Sequence, residues 1–241
     1  PPCKVGAPVT DITAGILAAM GVLSAYIHKL KTGEGQIVDT SLFEAGIIHT
    51  YWQSAIALAT GVAPGPMGSA HPLNGPYQAF EASDGWFTVG AANQRNWERL
   101  LDAMEAPELA DDPRFKTNAD RMANLKELEV TLTPIFKTRT RSEWLDRMEA
   151  AGVPGGPVMD VCEMFDDPHA QARDMIPTVH HEKLGDVQTL GLPIKLSETP
   201  GKVATGAPLF GQHTAEVLGE YGFGEDEIGA LVDEGAVALS D

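Results

Sequence analysis

Between Ile12 and about Lys31 the apolar positions (Ile16, Leu17, Met20, Val22, Leu23, Tyr26, Ile27) cover every face of a 3.6-residue repeat. That pattern predicts a central helix rather than a surface one. Asp11 is a good N-cap type, Lys29 and Lys31 suit the negative end, and Gly33 supplies a stop. Gln36–Thr40 alternates briefly and predicts a strand, and Ser41–Thr60 predicts a second helix that is apolar on most faces. A loop rich in Gly and Pro follows, Gly61 to Pro76. Tyr77–Ala82 and Trp86–Ala91 are β-type runs joined by Ser83-Asp84-Gly85, a strong short-range hairpin signal. Helical patterns resume at Arg95–Met104, Arg121–Phe136 and Arg141–Ala150. Gly152–Val158 predicts a stiff turn. It leads to Asp160–Phe165, Pro168–Met175, an extended run Thr189–Leu196, a linker Pro200–Pro208, and closing helices Thr214–Tyr221 and Glu225–Glu234.

Charge sharpens this division. The 241 residues carry 17 Lys and Arg against 34 Asp and Glu, a net charge of −17. The acid excess argues against nucleic acid and against an anionic membrane surface. Only four acids and three bases fall in the first 80 residues, so that segment is expected to lie mostly buried, in a core or against another chain. Its longest apolar stretch, Ile12 to Ile27, is 16 residues broken by Thr13, Gly15, Gly21 and Ser24, short of the roughly 20 a membrane span needs. With no leader pattern and only Cys3 and Cys162, a soluble cytoplasmic protein is expected. A Pro-Pro start has no initiating Met, so the chain is expected to be a trimmed piece of something longer.

Few motifs carry chemistry. No GxGxxG, Walker A, GxSxG or HExxH pattern is present, and His180-His181 lack a spaced third ligand, so no metal is expected. Asp11, at the mouth of an apolar helix, is either a plain N-cap or a carboxylate in a dry site beside helix amides, able to act as nucleophile or base. His71, in Gly68-Ser69-Ala70-His71-Pro72, is either an exposed or capping residue or a loop histidine beside a site. His213 fits a helix start, and Trp52, Trp86, Trp97 and Trp144 fit packing.

The stretch Val5-Gly6-Ala7-Pro8-Val9-Thr10-Asp11-Ile12-Thr13-Ala14-Gly15 resembles the active-site segment of class III CoA-transferases, a family that includes formyl-CoA transferase and carnitine CoA-transferases, with α-methylacyl-CoA racemase as a cousin. The likeness continues through Lys31–Gln36, Val38–Leu42, Pro76-Tyr77-Gln78-Ala79-Phe80 with Asp84-Gly85, Val153–Val158, Pro193–Ser197 and Pro208–Thr214.

The resemblance implies an α/β fold with a large α/β domain, incomplete here, and a smaller α+β domain. Residues 1–75 and 185–241 would belong to the large domain and 76–184 to the small one. It implies that Asp11 attacks an acyl-CoA thioester, that CoA itself is substrate with no further cofactor, and that a small carboxylic acid accepts it. An interlocked homodimer is implied as well. Gly68, His71 and Asn93 are the candidate substrate-binding residues. Family racemases carry a glutamate after the hairpin, where this chain has Asn93, which cannot take an α-proton. The short Met67–Pro72 loop replaces the glycine-rich loop of formyl-CoA transferase, which argues against oxalate and formate. A racemase-like epimerase and a non-catalytic fragment that only binds or dimerises are the alternatives.

Overall fold

In a computed structural model, which describes residues 3–240, the chain opens with helix α1, Val9–Thr32. Gly33, at φ 81°, ends it by donating its N–H to Lys29 O at 2.8 Å, a left-handed cap that glycine adopts without strain. The predicted strand at 36–40 does not form. Residues 33–41 instead run back along α1, and a Cβ at Gly21 would lie 2.6 Å from Val38 Cγ1. A strand needs a ladder partner, and among the described residues none pairs with this segment.

The second predicted helix is two. Ser41 caps α2 (Leu42–His49), accepting the Glu44 N–H, and α3 (Tyr51–Thr60) restarts beyond Thr50. Helices α1 and α2 pack antiparallel, with Thr13 Oγ1 and His49 Nε2 2.7 Å apart.

The hairpin forms as predicted. β1 (Tyr77–Glu81) pairs antiparallel with β2 (Trp86–Gly90), and the turn closes through Ala82 N–H to Gly85 O at 2.7 Å. A third strand, β3 (Gly155–Pro157), adds to β2 where a turn was expected. Its glycines allow the approach, since a Cβ at Gly155 would stand 2.7 Å from Thr88 O. Against this sheet pack α4 (Gln94–Met104), α6 (Leu125–Phe136) and α7 (Arg141–Ala151), with α5 (Asn118–Ala123) leading into α6. Helices α5 and α6 divide the single run expected at 121–136, because Asn124 leaves helical geometry. The core is aromatic at its centre. Phe136 meets Phe80, Phe87 and Trp144 at ring-centroid distances of 4.9, 5.1 and 5.3 Å, and Trp144 Nε1 donates to Phe136 O at 2.6 Å.

The chain divides into two compact units, residues 1–158 and 159–241. The second contains α8 (Val161–Asp166), α9 (Pro168–Ala172), an antiparallel pair β4 (Thr178–His181) and β5 (Gly185–Gln188), then α10 (Thr214–Glu220) and α11 (Glu225–Asp233). The β4–β5 pair was not predicted, and no strand forms at 189–196. The architecture is mixed α/β throughout.

The neutral first segment is not buried within this chain, which leaves cover by another chain as the expectation that stands. Ile12, Ile16, Met20, Val22, Leu23, Tyr26, Ile27 and Leu30 of α1 are all exposed, as are Phe43, Tyr51 and Leu58. One expectation is corrected: α1 does not fall short of a span, because its 24 residues are long and apolar enough, by length and composition, to cross a membrane. The core helix of a soluble protein passes the same test.

Candidate functional site

Asp11 is not the N-cap. Pro8, at φ −77°, already has the backbone torsion a helix start needs, so the helix begins at Val9 and Asp11 becomes its third residue. Its side chain stands among N–H groups that have no intrahelical acceptor, beside the positive end of a 24-residue helix. Thr10 Oγ1 donates to Asp11 Oδ2 at 3.1 Å. Residues 4–11 line a recess of 410 Å³ in which Lys4 and Asp11 are the ionisable groups. The carboxylate is exposed in this chain, so a dry environment is not supplied by the chain itself.

The other candidates separate by role. His71 is held on three sides: its ring stacks on Tyr77 (5.1 Å, 7°), meets Trp52 edge-on (5.5 Å, 64°), and accepts the Leu73 N–H at Nδ1 (3.1 Å). In the neutral ring that acceptor role leaves the proton on Nε2. A link runs from α1 to this ring: Thr13, two residues after Asp11, is bonded to His49, and Trp52 lies just beyond on α3. Gly68 sits in the same loop at φ 61° with open space around it, so it shapes the turn. Asn93 caps α4, its Oδ1 accepting the Asn96 N–H at 2.9 Å. His180 pairs with Asp186 at 3.2 Å and His213 with Glu216 at 3.1 Å, both in the second unit. Among the described residues no cluster of three or more His, Cys, Asp or Glu is arranged to hold a metal ion.

Two polar residues in the sheet unit were missed by the sequence reading. Arg121 is 0% exposed, donating from Nε to Gly75 O (2.6 Å) and from Nη1 to Phe115 O (2.9 Å) and Gln94 Oε1 (3.1 Å), with its guanidinium 5.0 Å from the Trp97 ring centroid. Burial pushes its pKa down to about 10, with Asp120 and Glu98 acting in the opposite sense. Together with Asn118, which accepts Gly75 N–H and donates to Leu73 O, it clamps the loop end that carries His71. Gln78 is 6% exposed on β1. The capping box Thr117…Asp120 is the signal that could have found α5 and, with it, Arg121 on a buried face.

Comparison with known proteins then fixes the family. The sequence profile of CoA-transferase family III matches residues 1–214. A succinyl-CoA:mesaconate CoA-transferase from Haloarcula hispanica is 36% identical over 228 residues, covering 93% of this chain and 56% of that protein. A human succinyl-CoA:glutarate CoA-transferase is 31% identical over 237 residues, covering 98% and 54%. A crystal structure of a CaiB/BaiF family protein from Brucella suis superposes with a TM-score of 0.76 at 33% identity, covering 91% of this chain and 57% of that one. The chain spans about half the length of the named relatives it matches. It belongs to CoA-transferase family III.

Proposed function

We propose that the intact protein moves CoA from an acyl-CoA thioester to a free carboxylic acid, with Asp11 as the nucleophile. The observation that carries this is the Asp11 carboxylate in the first turn of α1, in a recess lined by residues 4–11, within a family III sequence. The carboxylate attacks the thioester carbonyl, forming a mixed anhydride and releasing CoA thiolate. The thiolate attacks the aspartyl carbonyl, giving an aspartyl-CoA thioester and the first acid. The acceptor carboxylate then displaces CoA through a second anhydride, and the thiolate takes the new acyl group, restoring Asp11. The open amides and positive end of α1 favour the negative oxygen that develops in each tetrahedral step.

Anhydrides survive only where water is excluded, and the exposed surface supports a reading of what excludes it. The chain exposes 16749 Å², whereas a compact chain of 25.7 kDa exposes about 10,400 Å². Two separate compact bodies of the sizes seen here would expose about 12,500 Å². The excess is larger than a standard interface of about 1,600 Å², and its apolar part centres on α1–α3. In our reading the remainder of the large domain and a second, interlocked copy cover it. Residues 1–75 and 185–241 then belong to the large domain and 76–184 to the small one, in a cytoplasmic dimer. Gly68 and His71 would lie along the acid substrate, the histidine as an Nε2–H donor. Racemisation is disfavoured because Asn93, at the position of the racemase glutamate, is an N-cap amide.

The test is Asp11→Asn in the intact protein, assayed for exchange of CoA between acyl-CoA and a panel of acids, beginning with succinyl-CoA because two of the relatives are named for it. The exchange rate should fall below a few per cent while the fold survives, since an amide replaces an exposed first-turn carboxylate at a cost of about 1 kcal/mol or less. Retention of more than that rate removes the anhydride mechanism. Deuterium entering the α-carbon of a 2-methylacyl-CoA without exchange would establish the racemase instead.

A further inference from the structure

We propose that the cavity behind β1 is a binding site for a neutral aliphatic amide, with Gln78 as the group that recognises it. Along β1 the side chains of Gln78 and Phe80 turn to the buried face. Phe80 joins the aromatic core, and Gln78, paired in register with buried Val89, is itself 6% exposed. Its carboxamide makes no hydrogen bond to any described residue. It opens instead on a cavity of 510 Å³ walled by Met67, Ala70, Met122 and Leu125. Most of the side chain is buried, but neither carboxamide atom is sealed off, so solvent meets both through the cavity and a ligand group can take its place. A ligand that meets the carboxamide would replace that solvent while burying its own methylenes against the apolar wall.

The lining chooses the ligand. A carboxamide offers donors and an acceptor side by side, and another amide satisfies both at once. A carboxylate would use only the donors and would face Glu127 and Glu129 at the rim, with Lys126 alone to offset them. An ammonium would be drawn by the net negative rim but would use only the acceptor, leaving the carboxamide N–H groups without a partner. Two thioethers and a leucine suit short methylene segments, and methionine adapts to irregular shapes. The size lies within the usual range for small-molecule sites.

The site is distinct from the one assigned to CoA transfer and does not depend on that assignment. Tyr77, the neighbour of Gln78, turns the other way and stacks on His71. The loop that walls the cavity is stitched to β1 by His71 N–H to Tyr77 O (2.9 Å) and Ala79 N–H to Ser69 Oγ (3.1 Å). Cavity and histidine therefore share a loop across one strand.

Calorimetry on the intact protein tests this with four probes of similar length: N-butylbutanamide, butyl butanoate, octanoate and octylammonium. The amide is expected to bind at least tenfold more tightly than each of the others. Gln78→Leu should bring the amide to the level of the ester, and Met122→Trp, which fills the cavity, should abolish binding of all four. An unchanged circular dichroism spectrum shows that each variant has folded. Preference for the acid or the amine, amide binding that Gln78→Leu leaves intact, or no binding of the amide at millimolar concentration would each overturn the proposal. CoA exchange, measured alongside with a short acid, should be the same in wild type and Gln78→Leu, so failure here is separable from failure of the transferase reading.

Discussion

Arg121→Met is the most informative perturbation of the scaffold, because a large favourable contribution and a smaller opposing one meet at one side chain. The guanidinium is fully buried and makes hydrogen bonds to Gly75 O, Phe115 O and Gln94 Oε1. Hydrogen bonds from a charged donor are worth about 1.5–3 kcal/mol each, so the three together contribute about 6 kcal/mol, with about 1 kcal/mol more from the Trp97 ring. Burial opposes this. Burial lowers the pKa from its ordinary value to about 10, which corresponds to roughly 3 kcal/mol disfavouring the buried cation.

Methionine removes both contributions and nearly keeps the volume, so the net destabilisation should be about 3–4 kcal/mol. That is the scale expected when a buried hydrogen-bonding group is removed and its three neutral acceptors lose their donor. The sign with pH follows from the lowered pKa. The unfavourable contribution is complete below pH 10 and would fade only above it, so the difference between variant and wild type should be flat from pH 6 to 9. Urea unfolding of the intact protein with unchanged m-value measures it. Arg121→Lys should cost nearly as much, because one ammonium cannot span three separated acceptors in a fixed fork. A methionine variant within 1 kcal/mol of wild type would refute the assignment of Arg121 as the clamp on Gly75.

Glu105, held below its ordinary pKa first by its hydrogen bond to Arg147, then by the Arg147 and Arg139 charges, stabilises the fold at neutral pH and loses that contribution as pH falls through its lowered pKa. Glu105→Gln should therefore lower Tm at pH 7 and narrow the gap to wild type at pH 3, and an equal gap at both would contradict the pairing. Thr140→Ala removes the capping box of α7, in which Thr140 and Glu143 satisfy each other's backbone N–H, and should cost about 1 kcal/mol by denaturant titration. Gly155→Ala forces a Cβ to 2.7 Å from Thr88 O and 2.6 Å from Met148 Cε. It should destabilise by about 1–3 kcal/mol, as overpacking does, and faster amide exchange in β2 would locate the damage.

The candidate site was legible in part. The Val5–Gly15 motif singled out Asp11, and its place at the head of a long helix followed from the apolar run and Gly33. What the motif could not give was the cap, because Val9 and Thr10 look no more helical than extended until Pro8 is seen to start the turn. His71 was picked out as a loop histidine. Its clamp between Trp52 and Tyr77 joins residues 19 and 6 positions away, a relation that no local pattern carries.

Local signals determined what depends on neighbours in the chain: α1, the Asp-Gly hairpin, α4, α7 and the two closing helices, all set by periodicity, capping residues and turn chemistry. The structure alone decided what depends on distant partners. β3 exists because Gly155 and Gly156 can lie against β2, and 36–40 is no strand because nothing pairs with it. Arg121 is buried because three acceptors from residues 75, 94 and 115 converge on it, and Gln78 faces a cavity because β1 turns it inward. Sequence periodicity records which face of an element is apolar. Which surface meets that face is set by long-range packing, and so α1 could be read as a helix made to be covered without any sign of what covers it.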